Sequence, residues 1–177
     1  MTIDPAQLAA SVPAKPLELT PPISVRDAGP ADAARIADLI GQWAAAGLTI
    51  PRSEHDIRRV ADHFVLVERG GVVIACAALE KLEEGLGEVR SVAVDSEAVG
   101  VGAGRAAVHG LVARARRIGI DRLVLLSKIP AFFARLGFEE LTPETAPASY
   151  LQVHLPGMGR THQGRSIMSM LVRPTQD

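Results

Sequence analysis

The sequence is poor in the residues that build disulfides, metal sites and charged docking surfaces. Its 177 residues include one cysteine, Cys76, which excludes an internal disulfide and a zinc site with several thiolates. The five histidines show neither H-x-x-x-H nor H-E-x-x-H spacing, so no metal site is predicted. The formal net charge is −1 and no basic block is present, which argues against DNA or RNA as a partner.

Membrane and export signals are also lacking. The longest apolar run, residues 70–79, is far shorter than the roughly 20 residues that cross a bilayer. The first residues show no charged-then-apolar signal peptide. We therefore expect a cytoplasmic protein without a membrane partner.

What the sequence does contain is enough apolar side chain for one globular domain. Hydrophobic residues make up 47% of the chain and charged residues 22%, which is the balance of an ordinary folded protein. Repeated prolines without hydrophobic periodicity predict a flexible arm over residues 1–22. The domain is expected over residues 23–173, with a short tail at 174–177.

Hydrophobic periodicity predicts the element order β-α-α-β-β-β-α-β-α-β, an α/β (α+β) fold. Apolar residues at 36, 39, 40 and 43 mark one face of the first helix. Ser53 with Asp56 is typical of the start of the second helix, and the apolar spacing extends that helix pattern to Phe64. Gly70-Gly71 between two apolar runs predicts a hairpin. The strand-helix-strand order over 88–127 predicts a parallel pair.

A glycine-rich loop, V-G-V-G-A-G at residues 99–104, precedes a predicted helix. A Walker loop would need Lys-Ser or Lys-Thr after the last glycine, whereas the chain has Arg105-Ala106. The G-x-G-x-G spacing also differs from the dinucleotide fingerprint G-x-G-x-x-G. A tight turn without a ligand remains an alternative. The other interpretation is a pyrophosphate site, because amides at a helix N-terminus favour anions.

The order of the strand VRSVAV, this loop, an arginine-containing helix, RLVLLS and AFFARLGF resembles the GNAT acetyltransferase family over residues 23–172. The resemblance implies a mixed central sheet of six to seven strands, helices on both faces and a splayed pair of parallel strands. It also implies acetyl-CoA as cosubstrate, with the pyrophosphate on the loop amides. Val99 departs from the family pattern, which has Arg or Gln there. The cofactor-binding residues implied are Val92, Ala93, Val94, Gly100, Val101, Gly102, Ala103, Gly104, Arg105 and Phe132.

Further segments are similar to the acetyltransferase domain of N-acetylglutamate synthases, including the small stand-alone forms: AGLTIPRSEHDI, IACAAL, GEVRSVAV and GRSIMSMLVR. This resemblance implies acetylation of the α-amino group of L-glutamate or L-glutamine, the first step of arginine biosynthesis. A guanidinium binds an α-carboxylate through two parallel hydrogen bonds. The candidate substrate-binding residues are Arg52, Lys81, Arg90 and Arg165, although each could equally face solvent. A homodimer is expected if the C-terminal strand forms a sheet edge.

Transfer in a ternary complex requires a group that accepts a proton from the amine. Glu88 is the candidate base. Ser127 or a water would assist the departing thiolate, because Phe133 stands where many relatives have tyrosine. An acyl-enzyme on Cys76 is disfavoured because the cysteine lies mid-strand without a nearby base. Two alternatives stay open: another acceptor, such as a small amine or a protein N-terminus, and a non-catalytic CoA-binding module.

Overall fold

The computed structural model describes residues 21–154 and 164–172. The predicted arm therefore lies outside the described residues except for Pro21 and Pro22, as does the predicted tail. Within the described ranges, every helix is too short or too polar to cross a membrane.

Within the described residues, seven strands form one mixed sheet, a number within the six to seven that the family resemblance implies. Their spatial order is β1-β2-β3-β4-β5-β7-β6, and neighbouring strands are antiparallel except for the parallel pair β4–β5. The strands are β1 (Ile23–Asp27), β2 (Phe64–Arg69), β3 (Val72–Glu83), β4 (Leu86–Val94), β5 (Arg122–Ser127), β6 (Glu139–Leu141) and β7 (Ser166–Leu171).

Helices cover both faces of the sheet, as predicted. The helices are α1 (Ala33–Gln42), α2 (Glu54–Arg58), α3 (Ala103–Arg117), α4 (Pro130–Ala134) and α5 (Ala148–His154). On one face, α3 buries Ala107, Leu111 and Ala115 against the strands. On the other face, α1 packs Ile36 and Ile40 against Leu66 and Cys76. A third buried cluster, around Tyr150 of α5, lies over β4, β5 and β7.

The structure confirms two local predictions, the Gly70-Gly71 hairpin turn and the Ser53 helix cap. Gly70 and Gly71 have φ values of 58° and 78°, so both residues of the β2–β3 turn need the left-handed conformation that glycine adopts without strain. Ser53 Oγ accepts a hydrogen bond from the Asp56 amide at 3.1 Å and begins α2. The expected extension of that helix pattern is wrong, because α2 ends at Arg58 and Phe64 begins β2.

The prediction missed β6 and α5, which lie between α4 and the last strand. The C-terminal strand β7 pairs with β5 on one side and with β6 on the other, so it is internal to the sheet. The sheet edge that supported a homodimer is therefore not formed by β7.

The parallel strands β4 and β5 separate soon after they meet. Their pairing covers residues 86–88 of β4, which face residues 122–124 of β5. Beyond Glu88, β4 continues to Val94 paired with β3, while β5 continues to Ser127 paired with β7. This divergence is the splayed pair that the family resemblance implies, and it opens a gap between the two strands.

Candidate active site

A cavity of about 800 Å³ fills the gap between β4 and β5. Its walls are the α1–α2 connection, the C-terminal part of β4, the glycine loop with the start of α3, the end of β5, α4 and the segment before β7. The glycine loop and three of the four candidate acceptor residues thus contribute to one cavity, although they are far apart in the sequence.

The glycine loop exposes its main chain to the cavity, because no side chain covers Gly100 or Gly102. Gly100 and Gly102 have φ values of 90° and 88°, and a Cβ atom on either would meet no atom within 4 Å. Gly102 is the N-cap of α3 and has no side-chain cap, so amides of the first turn have no side-chain acceptor at that position. The loop therefore presents N–H donors and a helix dipole to a ligand, a combination that suits a pyrophosphate.

The third glycine of the loop serves packing. A Cβ atom on Gly104 would lie 3.2 Å from Phe132 Cζ and 3.3 Å from Val94 Cγ2. Glycine therefore lets α3 approach both α4 and β4 closely. This close approach brings the start of α3 beside the end of β4.

The backbone of β4 is irregular where it lines the cavity. Ser91 has a φ of 51°, and the β3–β4 register shifts between Cys76 and Ala78. This positive φ in a non-glycine residue marks a bulge that redirects the strand. Because the Asp95 amide donates to Ile74 O on β3, the Val94 amide, one residue earlier, points away from β3 toward the cavity.

Trp43 anchors that end of β4. Its Nε1–H donates a hydrogen bond of 2.6 Å to the Val94 carbonyl, and its ring lines the cavity. The carbonyl is thereby satisfied, whereas the Val94 N–H keeps its direction toward the cavity. Sequence reasoning assigned Trp43 only to the apolar face of α1, because an indole in a helical pattern gives no sign of a distant backbone acceptor.

Glu88 is a carboxylate buried at the point where β4 leaves β5. It is 4% exposed and borders the cavity. Burial raises the pKa of its carboxyl to about 7; Arg90 opposes this rise and Glu80 adds to it. A carboxyl with that pKa exchanges a proton readily at neutral pH, which suits a general base.

Ser127 lies across the cavity at the end of β5. Its residue is 6% exposed, and its Oγ accepts a hydrogen bond from the Ile129 amide at 3.0 Å. That contact uses the oxygen as an acceptor and leaves the hydroxyl hydrogen able to donate.

Basic side chains predominate around the cavity. Among the described residues that line it, the only acidic side chain is that of Glu88. Arg165 Nη2 donates to Gly47 O at 3.0 Å, which fixes the guanidinium beside the α1–α2 connection. Arg52 lies over the Phe64 ring at 5.9 Å, a cation–π distance. The basic lining residues are Arg52, Arg90, Arg105, Lys128, Arg135 and Arg165.

Most of the predicted site residues lie together on this cavity. Both candidate catalytic residues line it, as do three of the four candidate acceptor residues and all the cofactor candidates except Val101. Val101 instead packs against the core beneath α3. Lys81 also lies outside the cavity, where its Nζ is 3.2 Å from Glu84 Oε2. The structure therefore does not bring Lys81 together with the other three candidate acceptor residues. The prediction also missed Lys128 as a lining residue.

Cys76 is buried beside this site without facing it. The residue has no exposed surface, and burial raises the pKa of its thiol to about 12. Its Sγ lies 3.6 Å from the Ser91 carbonyl. A thiol in this state carries almost no thiolate at neutral pH and is a poor nucleophile. The described residues contain no group of three or more His, Cys, Asp or Glu side chains able to hold a metal ion.

The sequence of this chain is similar to a known protein family and to several known proteins. The family model described as "Acetyltransferase (GNAT) family" matches residues 34–138. An amino-acid acetyltransferase of Pseudomonas fluorescens is 34% identical over 127 residues, which cover 71% of this chain and 29% of that protein. One from Aeromonas salmonicida is 35% identical over 118 residues, covering 66% and 27%. The chain thus spans less than a third of the length of these relatives.

Solved structures agree with the sequence relatives. N-acetylglutamate synthase from Neisseria gonorrhoeae, complexed with coenzyme A and N-acetyl-glutamate, superposes with a TM-score of 0.76 at 27% identity over 85% of this chain and 35% of that chain. A Mycobacterium tuberculosis protein in complex with CoA and NLQ superposes with a TM-score of 0.75 at 27% identity. The second alignment covers 84% of this chain and 98% of that chain, so a protein of similar length has this fold.

Proposed function

The chain belongs to the acetyltransferase (GNAT) family, and we propose that it transfers the acetyl group of acetyl-CoA to the α-amino group of L-glutamate or L-glutamine. The observation that carries the proposal is one cavity that joins three features: a glycine loop at a helix N-terminus, a buried carboxylate with a pKa of about 7, and an excess of basic side chains. Similarity to amino-acid acetyltransferases supports the choice of acceptor.

Acetyl-CoA would bind with its pyrophosphate at the glycine loop. Amides at the start of α3 would donate to the phosphate oxygens, and Arg105 in the first turn of α3 adds positive charge. The pantetheine arm would then follow β4 past the Val94 amide toward Glu88. Coenzyme A is present in the two structural neighbours described above, which supports this assignment.

The acceptor would occupy the other end of the cavity, near Glu88. Arg52 lies in the α1–α2 connection and Arg165 contacts that connection at Gly47 O; both line the cavity, and both can bind a carboxylate through two parallel N–H groups. Lys128 lies beside Gly47, close to Arg165, since a Cβ atom on Gly47 would be 3.0 Å from its Nζ. This concentration of positive charge favours an acceptor that carries at least one carboxylate.

Transfer would proceed by direct attack of the amine on the thioester carbonyl. Glu88 takes a proton from the amine nitrogen, the new N–C bond forms, and the C–S bond breaks with the electron pair leaving on sulfur. A β4 amide that faces the cavity donates to the carbonyl oxygen as negative charge develops there. The Ser127 hydroxyl, whose oxygen already accepts from Ile129, donates to the departing thiolate. Cys76 takes no part in these steps.

The alternatives differ in the acceptor or in the absence of catalysis. Another small amine or a protein N-terminus would use the same cofactor half of the cavity, but would leave Arg52 and Arg165 without a carboxylate to bind. A non-catalytic CoA-binding module would have no use for a buried carboxylate that titrates near neutral pH. Glu88 therefore favours an enzyme over such a module.

An acceptor screen tests the proposal directly. The purified chain is incubated with acetyl-CoA and each of the amino acids and small amines, and release of free thiol is followed. We expect thiol release with glutamate or glutamine, at a rate proportional to the concentration of the protein. Release only with acceptors that lack a carboxylate would refute the amino-acid assignment. Calorimetry with CoA alone separates loss of cofactor binding from the wrong choice of acceptor.

A further inference from the structure

Three charged side chains share one face of the β3–β4 ladder next to the cavity. Glu80 and Glu88 are direct cross-strand partners, and Arg90 follows Glu88 by two residues on the same face. Arg90 Nη1 donates to Glu80 Oε2 at 2.6 Å, while its Nε lies 3.9 Å from Glu88 Oε2. Two carboxylates directly opposite each other repel, so the guanidinium placed diagonally between them offsets that repulsion.

The three side chains differ in their access to water. Exposure of the side chain is 5% for Glu88, compared with 44% for Arg90 and 43% for Glu80. Glu88 and Arg90 line the cavity, whereas Glu80 lies outside it. Glu80 therefore acts on Glu88 from outside the cavity, both by its own charge and through Arg90, whose shorter contact is with Glu80.

We propose that Glu80 is a positioning residue that holds Arg90 and shares its charge, so that Glu88 remains able to accept a proton from the acceptor amine near neutral pH. This inference rests on the proposed role of Glu88 as the base. It adds that the base depends on a neighbour outside the cavity.

The pKa of Glu88 depends on two opposing effects: burial raises it, and the positive charge of Arg90, shared with Glu80, lowers it. If Arg90 paired with Glu88 alone, the carboxylate would be stabilised and would become a weaker base. If Arg90 were absent, burial together with Glu80 would keep Glu88 protonated at neutral pH. The present arrangement lies between these limits, with the pKa of Glu88 raised by burial to about 7.

Other charged or titratable groups also face this cluster. Tyr150 of α5 is fully buried, and its hydroxyl is affected by the charges of Glu88, Arg90 and Arg165. Burial, together with Glu88, raises the pKa of Tyr150, so the phenol stays neutral through the pH range in which Glu88 titrates. Arg52 and Lys128 line the same cavity. These groups are unchanged in the variants below, which isolates the effect of Glu80 and Arg90.

The test measures the titration of Glu88 in the full chain without any acceptor. Protein labelled with ¹³C at the glutamate Cδ carbon is titrated by NMR, and the Glu88 signal is assigned by its loss in Glu88→Gln. Glu80→Gln keeps the shape and one acceptor oxygen but removes the charge. Arg90→Met keeps the length of the side chain and removes the cation. Glu84→Gln makes the same chemical change at an exposed position of the same hairpin.

The proposal predicts shifts of opposite sign in the two variants. Glu80→Gln should lower the Glu88 midpoint by roughly half a pH unit, because Arg90 then acts on Glu88 alone. Arg90→Met should raise the midpoint by about one pH unit. Glu84→Gln should leave it unchanged. Shifts of the same sign, or no shift in either variant, would overturn the proposal.

A kinetic readout then connects the titration to transfer. With whichever acceptor the screen identifies, the acid limb of the kcat/KM profile should move with the NMR midpoint in each variant. An NMR shift without a matching kinetic shift would mean that Glu88 is not the base. Failure of every acceptor would refute the proposed function, yet the NMR titration would still decide whether Glu80 and Arg90 control Glu88.

Discussion

Substitution of Gly102 by alanine separates a role in cofactor binding from a role in folding. Gly102 has a φ of 88°, and a Cβ atom there would meet no protein atom within 4 Å. The substitution therefore introduces backbone strain without a steric clash. We expect it to lower the free energy of unfolding by about 1 kcal/mol, the cost of the left-handed conformation for an L-residue.

Gly119 provides a matched control. Its φ is 73°, a Cβ atom there would also meet nothing within 4 Å, and it follows the far end of α3, away from the cavity. Gly119→Ala should cost a similar amount of stability. Each variant should therefore lower the melting temperature by roughly 3 °C, as expected for about 1 kcal/mol in a domain of this size.

The two variants should differ in their response to acetyl-CoA. The methyl group on Gly102 projects into the space assigned to the pyrophosphate and disturbs the amides at the start of α3. We expect the acetyl-CoA KM of Gly102→Ala to rise about tenfold, which corresponds to roughly 1.4 kcal/mol of lost binding. The KM of Gly119→Ala should match that of the original chain. Equal KM values in both variants would refute the assignment of the loop to the pyrophosphate.

The remaining predictions concern the acceptor, the base and the cysteine. Arg52→Ala should raise the KM for the acceptor about tenfold with little effect on the KM for acetyl-CoA. Arg58→Ala, at an exposed position of α2, is the control. Equal effects of Arg52→Ala on both KM values would contradict the assignment. Because the pKa of Glu88 is raised to about 7 and the ionised form is the base, kcat/KM should fall as the pH drops below that value. Glu88→Gln should lower kcat at least about 100-fold at pH 7, and a fully active variant would exclude it as base. Cys76→Ala should retain transfer within about twofold, since a thiol of such high pKa is inert; loss of activity in a folded variant would point to an acyl-enzyme.

The sequence predicted those parts of the fold that depend on local chemistry. The Gly70-Gly71 turn and the Ser53 cap follow from residues close together in the chain, and the parallel pair follows from the order strand-helix-strand. The glycine loop was also recognisable, because its spacing before a helix permits few arrangements. Its third glycine proved to serve helix packing, which only the positions of Phe132 and Val94 reveal.

The missed elements are short and stabilised by distant contacts. The strand β6 covers Glu139–Leu141 and is too short for a period of two to be visible. The helix α5 is seven residues long, yet it buries Tyr150 completely against β4, β5 and β7. Conversely, Phe64 fits the helical spacing after Ile57 but is needed in β2. Tertiary packing decides these segments, so local periodicity could not assign them.

Among the candidate acceptor residues, the sequence could not say which face of β3 and β4 borders the cavity. Lys81 and Glu80 are neighbours in β3, and side chains alternate between the faces of a strand. Glu80 faces the same side as Glu88 and Arg90, whereas Lys81 follows Leu79 toward the α3 side. The choice depends on the register of β3 with β4, and the bulge at Ser91 changes that register within the site.

The short contact between β4 and β5 has a consequence for how readily the chain is attacked by proteases. Three residue pairs form the described ladder between these two strands, so little main-chain bonding joins β5, β6 and β7 to the rest of the sheet. A coenzyme lying in the gap would bridge both sides and, by mass action, favour the closed assembly over its open forms. If CoA binds in this gap as proposed, its addition should therefore slow cleavage of the chain by a protease that acts on the open forms.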